Sequence, residues 1–138
     1  MTETTTEITV VRAFLGALER LDVDAAVALL TDDVVYQNVP LPPARGRAAV
    51  EKQLRFLARW GRAFEVRWHN VASNGPIVLT ERNDVLTFGP VAVDIWVCGT
   101  FEVREGRVVL WRDRFDFADL IVAVARGLVR AVAARIRN

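Results

Sequence analysis

The residues of this 138-residue chain that could do acid–base chemistry are few and closely spaced. Arg82 and Asp84 lie two apart in Thr80-Glu-Arg-Asn-Asp-Val-Leu86, and Asp113 lies inside Val108-Val-Leu-Trp-Arg-Asp-Arg-Phe-Asp-Phe117. Read with the period of two that a β-strand imposes, Asp113 shares a face with Val109, Trp111, Phe115 and Phe117. Arg112, Arg114 and Asp116 form a charged row on the other face. A carboxylate set into an apolar, core-facing row is costly unless something pairs with it.

The partner on offer is Arg82, which shares its face with Asp84, Val78, Thr80 and Leu86. An Arg-x-Asp on a strand is most often a surface ion pair; the apolar company of Asp113 argues against that here. In a meander the second and fourth strands lie about 10 Å apart on a flat sheet, and less on a concave one. A guanidinium can span that gap and hydrogen-bond a carboxylate at each end. The expected unit is Asp84–Arg82–Asp113, with one proton shared between the carboxyls: a neutral acid beside a charged base, titrating as a pair. Tyr36 and Asn38 share another strand face and supply a phenol and an amide, enough to hold a water. The plainer alternative is a buried Tyr with a satisfied hydroxyl and an Asn that opens the following Pro turn.

These side chains need elements to position them. Glu7 to Leu21 has Ile8, Val11, Phe14, Leu15 and Leu18 at helical spacing. Asp22 or Asp24 caps a second, short helix through Leu30, which Thr31-Asp32-Asp33 ends. Val34 to Val39 reads as a short strand closed by Pro40-Leu-Pro-Pro43, and Ala48 to Trp60 as a third helix. Four strands follow: 62–72, 77–87, 91–103 and the Asp113 segment, joined by Gly-containing turns of hairpin type. Ala118 onward is a long helix with Leu120, Val124, Leu128, Val132 and Ile136 on one side. Helices, a meander and a final helix make an α+β fold: one domain over 1–138, its curved sheet wrapped around a helix-covered cavity.

Composition narrows the function. Hydrophobic residues are 52% and charged residues 25%, as in a soluble globular protein. A net charge of +1 gives no basic stripe, so nucleic acid is set aside, and no apolar run reaches the length of a membrane span. Of the 18 basic residues only Lys52 is not arginine, a bias that stops arginine number from being read as function. The polar, acidic start lacks the basic and apolar regions of a secretory leader, and the expected location is the cytoplasm. With Cys98 and His69 as the only residues of their kinds, neither an internal disulfide nor a His-rich metal site is expected. Both are read as structural.

Tyr36-Gln-Asn38-Val-Pro-Leu-Pro-Pro43, Ser73-Asn-Gly75, Glu81-Arg82-Asn-Asp84-Val-Leu86 and Trp111-Arg-Asp113-Arg-Phe-Asp116 resemble the matching segments of limonene-epoxide hydrolase, in the same order and at compatible spacings. The resemblance implies a cystatin-like cone, shared with nuclear transport factor 2 and ketosteroid isomerase. It also implies a homodimer, no cofactor or metal, and a small lipophilic epoxide with water as reactants. By that resemblance Asp113 is the general base on a water that Tyr36 and Asn38 also hold. Asp84 is the acid that protonates the epoxide oxygen, and Arg82 orients the two. The pocket would be lined by Leu57, Leu86, Ile95, Val97, Phe115 and Leu120. Gly61 and Ala63 stand where larger apolar residues are expected, which would widen it. The long C-terminal helix would lid the pocket or extend the dimer.

The chemistry of the residues agrees. Opening an epoxide requires pushing water onto carbon while the departing oxygen takes a proton, and an acid and a base across one cavity do both at once. No Gly-x-Ser-x-Gly elbow is present. The alternatives are an isomerase or cyclase on the same cone, polarising a steroid- or polyketide-like carbonyl with no need of Arg82, and a non-catalytic ligand-binding dimer.

Overall fold

The computed structural model describes residues 5–137. The first residues of the polar lead, 1–4, lie outside them. Helix α1 (Thr6–Glu19) is capped by Thr5, whose side chain accepts from the Ile8 amide at 3.2 Å. It buries Ile8, Val11, Phe14, Leu15 and Leu18 against the sheet. Asp22 caps α2 (Val23–Ala28) through the Ala25 amide, and α3 (Arg47–Trp60) turns Val50 and Leu54 inward.

The strands are β1 (Leu30–Val39), β2 (Ala44–Arg45), β3 (Ala63–Asn74), β4 (Ile77–Phe88), β5 (Val91–Arg104) and β6 (Arg107–Arg114). They form one mixed sheet in the order β2-β1-β6-β5-β4-β3. Strands β3 to β6 are the expected meander, with Gly75, Gly89 and Gly106 at positive φ in the three hairpin turns. Strand β1 pairs parallel to β6, with Tyr36 opposite Trp111 and Asn38 opposite Asp113. With helices on the inner side, this is the NTF2-like cone.

Three local expectations are corrected. Helix α2 stops at Ala28 and β1 begins at Leu30, so Thr31-Asp32-Asp33 is strand. Leu30 and Val34, four apart, both face the core, and the pairing of β1 with β6 is irregular between Leu30 and Val35. A second irregularity, between Glu102 and Val103, puts Val108 in the core in place of Val109. Strand β6 ends at Arg114 because Asp116 accepts from the Ala118 amide at 2.8 Å, which starts α4 (Phe117–Arg137). Phe117 is therefore an exposed helical residue. Helix α4 itself buries Ala123 and Gly127, and its large apolar side chains after Leu120 stay exposed. It runs beside the part of β5 that β6 does not reach, and a Cβ on Gly127 would collide with the Ala92 carbonyl. Only small residues permit that approach. None of the described helices is long and apolar enough to cross a membrane.

Candidate active site

Alternation along β4 sends Thr80, Arg82 and Asp84 to the concave face, where all three are buried. The matching inward position on β5 is Gly99, which pairs with Thr80 on one side and Asp113 on the other. Because Gly99 has no side chain, Arg82 can lie across β5 and reach β6. The guanidinium donates to both oxygens of Asp84, Nε to Oδ1 at 2.9 Å and Nη2 to Oδ2 at 3.1 Å. Nη2 also donates to Asp113 Oδ2 at 2.9 Å, and Nη1 to the Thr80 hydroxyl at 2.8 Å. Thr80 in turn donates to the Gly99 carbonyl at 3.2 Å. The side chain is fully buried, with Phe101 under it at 5.8 Å. Fork, tether and aromatic floor leave Arg82 one position.

Asp113 is held from a second side. The Trp111 indole N–H donates to Oδ2 at 3.0 Å, while Oδ1 has no hydrogen-bond partner among the described residues. The Trp111 ring stacks on Tyr36 at 3.8 Å and meets Phe14 edge-on. Parallel pairing of β1 with β6 sets Asn38 beside Asp113, and Asn38 Nδ2 donates to the Tyr36 hydroxyl at 2.9 Å. Both donors and acceptors able to hold a water therefore adjoin the carboxylate.

Burial pushes both carboxyls up. Asp84 rises to about 6, burial outweighing the attraction of Arg82, with Asp113 adding to the rise. Asp113 is raised by its own burial, against the pull of Arg82 and Trp111. Burial opposes the Arg82 charge, but the two carboxylates outweigh it and hold the guanidinium protonated. Burial, with Asp113 nearby, also holds the Tyr36 phenol protonated. One arginine between two acids in a dry site favours a single negative charge on the pair.

A stability consequence follows for Asp84. A carboxyl whose folded pKa exceeds its unfolded value favours the fold at low pH, and that contribution is lost as pH rises through about 6. Asp84→Asn, which mimics the protonated acid, is expected to be more stable than the parent at pH 8, by about 3 kcal/mol at most. The gap should vanish near pH 4 in thermal unfolding followed by circular dichroism. A variant less stable at pH 8 than at pH 4, relative to the parent, would contradict the raised carboxyl.

Asp84, Asp113, Tyr36 and Asn38 open onto a cavity of about 230 Å³ whose other walls are apolar. Leu57, Leu86, Ile95, Val97, Phe115 and Leu120 all line it, together with Leu18, Phe64 and Trp111. Gly61 and Ala63 are not among its lining residues. Arg82 stands behind the wall. His69 is exposed and hydrogen-bonded to Asn83 at 2.7 Å, and Cys98 is half-buried at a strand position outside the cavity. Thr80, Gly99 and the hydrogen-bonding role of Trp111 were not foreseen. The alternation that marked Arg82 and Asp84 also marked Thr80, but a glycine leaves no signal until the strand pairing is known.

Fold and site together define a cone-shaped enzyme with an acid–arginine–acid unit in an apolar pocket. Residues 5–126 match the family described as the limonene-1,2-epoxide hydrolase catalytic domain, and the chain belongs to that family of cofactor-independent epoxide hydrolases. It is 47% identical over 123 residues to epoxide hydrolase EphG of Mycobacterium tuberculosis, covering 88% of this chain and 81% of the relative. A solved LEH-like epoxide hydrolase from the same organism superposes with a TM-score of 0.89 at 45% identity, over 95% of this chain and 98% of that one. An NTF2-like protein of unknown function from Burkholderia pseudomallei gives a TM-score of 0.76 at 17% identity, over 88% and 98%, a likeness of fold alone.

Proposed function

We propose that this epoxide hydrolase opens a small lipophilic epoxide to a vicinal diol in one general acid/base step. The observation that carries it is the buried Arg82 bridging Asp84 and Asp113 at the wall of an apolar cavity. Asp113 is the base: two separate N–H groups favour its ionised form, and Asn38 and Tyr36 beside it offer a water further anchors. Asp84, its charge balanced by Arg82 alone, is the acid. Water oxygen bonds to an epoxide carbon as that carbon's bond to oxygen breaks. Asp113 takes the water proton, Asp84 gives one to the leaving oxygen, and exchange between the carboxyls resets the pair.

A single turnover in ¹⁸O-water tests the step. The label is expected in the diol; unlabelled oxygen in the first turnover would mean attack by a carboxylate and an ester intermediate. The acid role also gives kcat a direction with pH. As pH rises through about 6, Asp84 loses the proton it must donate, and kcat is expected to fall. A kcat that rises across that range would reverse the assignment. The rival carbonyl chemistry on this fold would show turnover of a ketosteroid-like substrate that survives Arg82→Lys.

The protein is further proposed to act as a homodimer. Support comes from Leu79 and Trp96, which stand exposed on the outer face of the sheet.

A further inference from the structure

A guanidinium has two edges on which it can meet a carboxylate with a pair of N–H groups, Nε with Nη2 and Nη1 with Nη2. In Arg82 the first edge is spent whole on Asp84. The second is divided. Nη2 donates to Asp113 Oδ2 at 2.9 Å, but Nη1 donates to the Thr80 hydroxyl at 2.8 Å. Asp113 Oδ1 is left without a hydrogen bond among the described residues. It is not far from the guanidinium: a Cβ on Gly99 would collide with Nη1, Oδ1 and Thr80 Oγ1 alike, so all three converge on the space above that glycine.

A charged oxygen is a stronger acceptor than a hydroxyl, and two parallel bonds from one arginine edge hold a carboxylate better than one. Thr80 prevails over Oδ1 by placement. It lies buried on the same face of β4, two residues before Arg82. Its single hydrogen goes to the Gly99 carbonyl at 3.2 Å, so its oxygen meets Nη1 as an acceptor. Its β-branch leaves it few rotamers in which to turn away. The consequence falls on Asp113, because each N–H given to a carboxylate favours the ionised form and weakens it as a base. The other groups that face Asp113 are Asp84 from β4, Tyr36 from β1 and the Trp111 indole from its own strand, while β5 offers only Gly99. Glu19 of α1 bears on Asp84. Of all these contacts, only that of Thr80 engages Nη1.

We infer that Thr80 is a positioning residue: it limits Arg82 to a single-bonded grip on Asp113 and so keeps Oδ1 free to take the proton of water. The inference rests on the general-base reading of Asp113, and its test separates the two. Thr80→Val keeps the shape of the side chain and removes the acceptor, so that Nη1 turns to Oδ1. With cyclohexene oxide as the probe substrate, kcat is expected to fall roughly tenfold with KM little changed, short of the loss of about 10²–10⁴ that follows removal of a base. The low-pH limb of kcat/KM should move to lower pH. The Asp113 carboxyl should titrate lower as well, followed by carbon NMR of labelled aspartate and assigned by its absence in Asp113→Asn. Thr80→Ser restores the hydroxyl and should restore all three. If Thr80→Val does not fold, Thr80→Cys, whose sulfur is a weak acceptor, carries the same expectations.

The parent kcat and an unmoved Asp113 titration in Thr80→Val would overturn the assignment, as would a Thr80→Ser variant no faster than Thr80→Val. So would a slower Thr80→Val in which only the high-pH limb moves, down from about 6, since water entering a loosened site would do that to Asp84. An Asp113 titration that falls while turnover holds would keep the tether and sink the base role. Turnover that falls while Asp113 titrates as in the parent would do the opposite.

Discussion

Asp113→Asn is expected to lower the rate of diol formation by about 10²–10⁴-fold while the protein stays folded. The amide oxygen can still accept from Trp111 Nε1 or Arg82 Nη2, so the packing around the site has little reason to change. What is lost is a place for the water proton. Stability is set by two opposed effects: the substitution removes a charge that burial disfavours, and it also takes one of two carboxylates from Arg82, which keeps its fork on Asp84. Arg82→Lys is expected to be comparably inactive for another reason. An ammonium is a point charge and cannot reproduce a fork that meets Asp84 twice and Asp113 once. Measuring kcat by product chromatography, with circular dichroism as a fold control, separates these effects. Most of the parent rate surviving in either variant would remove Asp113 or Arg82 from the chemistry.

The site carries an electrostatic cost in the fold that surrounds it. Two carboxylates and a guanidinium out of water are stabilising only when each finds its partners, and removing one leaves the others exposed to a low dielectric. Here the partners come from three strands. Thr80 and Arg82 share β4 with Asp84, Trp111 shares β6 with Asp113, and β5 contributes only bare backbone. The same dryness that raises Asp84 to about 6 gives it a proton to donate near neutral pH. Stability and acidity are set by one burial.

Much of this was legible in the chain because period-two alternation is a strong signal. Arg82, Asp84 and Asp113 were placed on inward faces, and the sheet buries all three. Hairpin turns at Gly75, Gly89 and Gly106 made the meander readable as well. Pairings distant in sequence were not. Nothing in Val34 to Val39 announces that it lies parallel to β6, yet that pairing is what puts Tyr36 on Trp111 and Asn38 beside Asp113. Backbone irregularities were equally hidden: the shift near Val103 exchanges Val108 for Val109, and a local pattern cannot show an extra residue in a ladder. For α4 the large apolar residues at helical spacing mark one side of a helix but not the side that packs. Packing beside β5 selects Ala123 and Gly127 instead.

Gly99→Ala should damage both the fold and the site with a single methyl. The added Cβ would lie 2.7 Å from Asp113 Oδ1 and 2.8 Å from Thr80 Oγ1, and closer still to Arg82 Nη1. None of these can retreat easily. Thr80 and Asp113 are short side chains on strands paired to β5 at this residue, and Arg82 is fixed by four hydrogen bonds. Either the guanidinium leaves its carboxylates or β5 bows out of the sheet. Breaking a buried ion pair costs about 3–5 kcal/mol, so Tm should fall steeply, and diol formation should fall with it even in the molecules that remain folded. Gly16→Ala is the control: its Cβ would meet nothing nearer than Arg20 Nη1 at 3.6 Å, and in a helix the change should stabilise by up to about 1 kcal/mol. If Gly99→Ala kept the parent Tm and kcat, the guanidinium could not be crossing β5 at that residue. The acid and the base would then have to communicate without it.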